Sequence, residues 1–218
     1  MTFDAAFRPF DLSLAGCLYE LGSLRVHSLG GGQLALEPGH TYWLLVTADG
    51  CVCELADDRV QLRAERYLVG CGPGLVRGGQ GLVIEQRDYQ RVRQWGGPLE
   101  PLGRLRYVDG CTDSLLVCPP RSGDACLNHL HIPAHTRQSE HSHPSLRLGV
   151  IARGEGVCRT AAGETALHAG LGWLIPPGLV HGFSTTERSL DVLAWHPDSD
   201  FGPTDGDHPM LNRTFLQR

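Results

Sequence analysis

Short runs of apolar residues, each closed by Gly, Pro or Asp-Gly, dominate this chain. Thr41–Ala48 runs into Asp49-Gly50, and Val60–Leu62, Tyr67–Val69 and Leu82–Glu85 follow at strand-like lengths. The second half repeats the style with Arg104–Val108 before Asp109-Gly110, Ser114–Val117, Leu127–Ile132, Leu146–Ala152, Gly172–Ile175 and Leu190–Trp195. Runs this short, bounded this way, predict β-strands joined by tight turns. No long stretch has the 3.6-residue period of an amphipathic helix. The best helix candidate is Asp88–Trp95, one or two turns ending at Gly96-Gly97-Pro98, which reads as a linker. The expected division is therefore 1–98 and 99–218.

The halves also align with each other. A shift of 104 residues places Gly50 on Gly154 and Gly74 on Gly178, and matches LVGCGPGLVRG with LIPPGLVHG. Under that shift His141, His143 and His181 fall on Glu37, Gly39 and Arg77. The first half, if it repeats the second, lacks those histidines.

Composition narrows the chemistry. With 41% hydrophobic and 20% charged residues the chain reads as globular, and the many glycines and prolines suit an all-β fold. A net charge of -5 without a basic stripe argues against a nucleic-acid partner. All 19 basic residues are arginine, which excludes Schiff-base chemistry, lysine-tethered pyridoxal phosphate and a phosphate-loop lysine. The eight cysteines form no CxxC pair, and no signal peptide precedes them, so they are expected to be reduced packing residues of a cytoplasmic protein. Cys51 and Cys53 share one strand face, as core residues or as a thiol ligand pair. No apolar run is long enough to cross a membrane.

Five of the eleven histidines lie between residues 129 and 143. His141 and His143 form an HxH whose side chains would share one strand face and could grip one ion. Downstream, Gly170, Pro176, Pro177 and Gly178 shape a turn that delivers His181. These segments resemble the paired motifs of the cupin superfamily. His135 stands at the first motif's leading glycine, Arg147 where its glutamate belongs, and Gly154 at its closing glycine. Thr185 replaces the second motif's final asparagine. The resemblance implies two tandem jelly-roll barrels, a bicupin, with a metal held by His141, His143 and His181 in the second and a degenerate, metal-free first barrel. Three imidazoles suit a divalent transition metal: iron first, with nickel, manganese, copper or zinc as alternatives.

Arg147 is the informative departure. A cation beside a dication is costly unless an anion intervenes. Either Arg147 stays inside and clamps a substrate carboxylate, as in the similar three-histidine cupin thiol dioxygenases, or it faces outward to Glu155 or Asp191. His129, His131, His135 and Gln138 are weaker candidates for a fourth ligand. Glu140 is expected to face away from His141, and His196 to cap its strand. The acidic tail reads as turns folding back on the barrel. Tyr42, or a metal-bound hydroxide, is the candidate base.

The leading functional reading is a metal-dependent, dioxygenase-like oxidoreductase acting on a small organic acid. The alternatives are a ligand-sensing cupin acting through a partner, and a cupin isomerase or lyase. A storage protein fits poorly without a signal peptide. The expected partners are an anionic small molecule and a second copy of the chain in a homodimer, with no membrane.

Overall fold

The computed structural model describes residues 6–211 except 57 and 88, together with residues 214 and 215. Among the described residues the chain is almost entirely β. The strands are β1 (Arg8–Asp11), β2 (Gly16–Leu21), β3 (Leu24–Ser28), β4 (Gln33–Leu36), β5 (Thr41–Ala48), β6 (Cys51–Leu55), β7 (Asp58–Leu62), β8 (Tyr67–Cys71), β9 (Gly74–Arg77), β10 (Gln80–Gln86) and β11 (Gln94–Gly96). After the linker come β12 (Leu105–Arg106), a 3-10 turn (Val108–Gly110), β13 (Thr112–Val117), β14 (Cys126–Ile132), β15 (Arg147–Thr160), β16 (Gly163–His168), β17 (Leu171–Ile175), β18 (His181–Ser184) and β19 (Leu190–His196).

In the first half a six-stranded sheet, ordered β11-β8-β5-β10-β3-β2, faces a four-stranded one, β4-β9-β6-β7. Alternation along the strands sorts the side chains. Tyr42, Leu44 and Val46 of β5 turn inward with Leu68, Val76 and Val83, while Trp43 and Leu45 turn the other way. Cys51 and Cys53 sit in that inner core as packing residues, their thiols pushed up to about 12 by burial.

The second half is built on one sheet ordered β1-β17-β15-β19-β14-β13-β12, with β16 and β18 pairing the far end of β15. β15 can serve both parts because its ladder with β19 bulges between Ile151 and Arg153. Its Gly154 lies at φ +80°, and a Cβ there would meet the Ser189 carbonyl oxygen at 1.8 Å. Arg153-Gly154-Glu155 is therefore a bend within a strand, not the strand's end. The internal repeat is visible at β17, which starts 104 residues after β8 and has the same length.

Two features tie the halves together. Trp43, Leu45, Val69 and Ile84 from the first sheet pack against Leu127, Leu148, Leu193 and Trp195 from the second, with Trp43 and Trp195 edge-on at 6.1 Å. The strand β1 also leaves the first half and pairs with β17, Phe10 opposite Gly172.

The structure corrects one element. The described part of the expected helix, from Tyr89 to Trp95, is not helical: residues 89–93 are irregular and Gln94 begins β11, and Asp88 lies outside the described residues. Neighbours take up part of it instead: Thr41 Oγ1 donates to the Tyr89 carbonyl, the Arg91 amide donates to Cys71 Sγ, and the Arg91 guanidinium lies 5.2 Å from the Trp43 ring. Tertiary partners outbid one weak turn of helix.

Candidate metal centre

His141 is not inside a regular strand. It forms an isolated bridge with His181, each amide donating to the other's carbonyl at 2.9 Å. The Pro176-Pro177-Gly178 turn then reaches back, the Gly178 amide donating to the His143 carbonyl at 2.8 Å. The two motif segments are thus laced through their backbones, and this lacing brings the three imidazoles together. One nitrogen from each of His141, His143 and His181 lies within 4.8 Å of the others, and the ring centroids are 4.6 to 5.3 Å apart.

Backbone carbonyls set the tautomers. His141 Nδ1 donates to the Ser139 carbonyl and His181 Nδ1 to the Leu179 carbonyl, both at 2.9 Å. A neutral ring so held keeps its Nε2 lone pair free, the arrangement that metal-ligating histidines use. Burial, together with Arg147 and the neighbouring rings, lowers His143 to about 3. Burial lowers His181 to about 4 against the hydrogen bond to Leu179. The donor set therefore fits a divalent transition ion.

The histidines open into a cavity of about 370 Å³, a size suited to a small molecule. Trp173, Ile175 and Phe183 form its apolar wall, and Asp113, Asn128 and His196 its polar one. Arg147 lines the same cavity with its side chain only 14% exposed. Its guanidinium donates to Ser145 Oγ and the Leu146 carbonyl, and lies 3.7 Å from Asp198. The outward alternative is not adopted. Glu155 pairs with His168 across the ladder, and Asp191 belongs to another cluster.

That cluster explains the other histidines. His131 lies opposite Asp191, and His129 two residues away, on the sheet face turned from the cavity. Asp191 Oδ1 accepts from His129 at 2.8 Å and His131 at 2.9 Å, and Oδ2 accepts from Arg153 at 3.1 Å. Neither histidine reaches the three-histidine group. His135 is exposed at φ +58°, so it meets the backbone demand of the motif's glycine position with its ring in solvent. Gln138 is buried beneath the site, its side-chain oxygen accepting from the Phe183 amide. Glu140 faces Arg159. Thr185 closes its loop by donating to the Pro133 carbonyl.

Tyr42 lies elsewhere. It is buried in the first half, where its Oη accepts from the Glu37 amide at 2.8 Å, and burial lifts its pKa to about 12. Beside it Glu85 takes His40 at 2.7 Å and His27 at 3.1 Å. The tail does fold back, the Ser122 amide donating to the Pro203 carbonyl.

Sequence reading missed Asp113 and Asn128 and underrated His196. Alternation along Cys126–Ile132 could have flagged Asn128, which must face opposite to His129. A lone aspartate at the start of β13 gave no pattern to read.

Residues 122–196 match the family described as the AraC-like ligand binding domain. No curated protein matches the chain. Among solved structures it resembles a salicylate 1,2-dioxygenase from Pseudaminobacter salicylatoxidans, with TM-score 0.67 and 10% identity over 90% of this chain and 85% of that one. It resembles a cupin 2 conserved barrel domain protein from Leptotrichia buccalis, with TM-score 0.64 and 11% identity over 88% and 96%. A third is protein Ylba from E. coli, with TM-score 0.64 and 13% identity over 93% and 96%. At such identities the likeness is one of fold. What the chain shares with these cupin proteins is an all-β fold, and within it residues 122–196 carry the ligand-binding family's pattern.

Proposed function

We propose that the second barrel is the metal centre of a dioxygenase-like oxidoreductase acting on a small organic acid. The observation that carries this reading is the convergence of His141, His143 and His181 beside a half-buried arginine in one cavity. When bound, a redox-active first-row ion, iron in our reading, supplies Lewis acidity and electron transfer at its open positions. The rest belongs to the chain. Arg147 presents a planar fork to a carboxylate. Trp173, Ile175 and Phe183 press against the apolar body of the ligand and keep water out. One solved form of the salicylate dioxygenase holds gentisate, an acid of that size. The three histidines without a carboxylate neighbour leave the anionic ligand to balance the charge.

Elemental analysis of untagged protein, beside a His181→Ala variant, tests the centre. Stoichiometric metal in the wild type and its loss in the variant support it; a metal-free wild type or an unchanged variant overturns it. Oxygen uptake with a panel of benzoates and thiol acids then separates oxygenase from a redox-silent site.

The match to the AraC-like ligand binding domain favours a second reading, in which the cavity senses the same class of acid without turning it over. A ligand that binds tightly with no product formed on the metal-loaded protein would select this reading.

A further inference from the structure

One wall of the cavity carries a chain of polar groups whose donors and acceptors can be counted. Asn128 lies between Asp113 and His196. As placed, its amide nitrogen is 2.6 Å from Asp113 Oδ1 and its amide oxygen is 3.2 Å from His196 Nε2. His196 Nδ1 contacts the Asp198 carbonyl, which can only accept, so Nδ1 carries the hydrogen.

A neutral His196 then offers a lone pair at Nε2 to the oxygen of Asn128, and two acceptors face each other. The Cys126 thiol, 3.1 Å from Nε2, can donate weakly but leaves that clash in place. Doubly protonating His196 would remove it. Burial and the nearby Arg147 oppose that, holding His196 below the usual histidine range. A half-turn of the His196 ring would also remove the clash but would forfeit both ring hydrogen bonds; the solution that keeps them is a half-turn of the Asn128 amide, so that its nitrogen donates to Nε2 and its oxygen faces Asp113. Asp113 must then be the donor. The 2.6 Å separation agrees, being shorter than N–H···O contacts usually are and ordinary for O–H···O. Burial, against the pull of Asn128 and His129, independently pushes Asp113 above the usual carboxylate range.

We propose that Asp113 is a neutral carboxylic acid donating to Asn128, and that its ionisation switches off binding of carboxylate ligands in the cavity. The second clause rests on the small-acid reading given above. With Asp113 neutral, Arg106 and Arg147 are the cavity's lining charges, opposed by Asp198 and, more distantly, Asp200 on the side of Arg147. An ionised Asp113 adds a like charge facing an anionic ligand. The other titratable groups around Asp113 are Tyr107 on the segment from β12, His129 and Cys126 on β14, and His196 on β19.

Infrared difference spectra between wild type and Asp113→Asn near neutral pH test the first clause. A protonated-acid carbonyl band, present in wild type, shifted in heavy water and replaced by a carboxylate band on raising the pH, is expected. Its absence overturns the neutral acid, whatever the cavity binds. The wild-type titration alone serves if the variant fails to fold. Calorimetry with benzoate on the metal-loaded protein tests the switch. Wild-type affinity is expected to fall about tenfold per pH unit above the titration of Asp113, while Asp113→Asn shows no such slope. Equal slopes in the two proteins overturn the switch. A clear acid band with no benzoate binding at any pH overturns the switch through failure of the small-acid reading and leaves the neutral acid standing.

Discussion

In the proposed reading Arg147 carries the ligand's carboxylate. Arg147→Ala is expected to weaken benzoate binding by about tenfold or more, the scale of a lost charge-assisted hydrogen bond, while bound metal stays stoichiometric; titration calorimetry and elemental analysis check both. Arg147→Lys keeps the charge without the fork and is expected to recover only part of the affinity. On the opposite sheet face Asp191 accepts from His129, His131 and Arg153. Burial works to raise its pKa, and those three donors outweigh it, so the net shift is downward. Glu85 is likewise lowered, against burial, by His27 and His40. A carboxylate lowered in the folded state stabilises the fold above its unfolded pKa, near 4, and that stability is lost as pH falls through the folded value. Circular dichroism is therefore expected to show acid unfolding setting in below about pH 4. Asp191→Ala, which removes the shared acceptor of two buried histidines and one of Arg153's three partners, is expected to cost about 3–5 kcal/mol in denaturant unfolding. At this scale the sequence was half legible. His141-x-His143 and His129-x-His131 are the same pattern, and only the register of β14 against β19 decides which pair faces a cavity.

Elements were easier to place than their joints. Thr41–Ala48 is a strand as read, because eight apolar and β-branched residues stop at Asp49-Gly50. The same logic stopped β15 at Ala152, too early, since a glycine in a bulge and one in a turn look alike in sequence. Gly154 can be tested directly. Its positive φ and the Ser189 carbonyl leave no room for a methyl group, so Gly154→Ala is expected to destabilise the fold by more than about 2 kcal/mol. Thermal melts measure that loss. Gly178, also at positive φ, has nothing within 4 Å of its missing Cβ; Gly178→Ala carries only the backbone strain and is expected to cost less. Asp88–Trp95 misled because a few apolar residues at helical spacing say nothing of the sheet edge that captures them.

Across the whole molecule the two sheets share one core around Trp43 and Trp195, both almost fully buried. The halves are therefore expected to unfold together, as a single transition with coincident fluorescence and circular dichroism. Trp43→Ala, though remote from the three-histidine group, is expected to cost about 3–5 kcal/mol and to lower the stability of the half that carries those histidines with it. The tandem arrangement was readable from the shift that maps β8 onto β17, but this coupling was not, because strand alternation alone does not say what each outer face meets. The crossing of β1 adds a consequence in time. Phe10 pairs with Gly172, so on the ribosome this strand waits for a partner made long after it. Until then β1 is unpaired, and a neighbouring copy further along on a crowded polysome presents the same β17 to it.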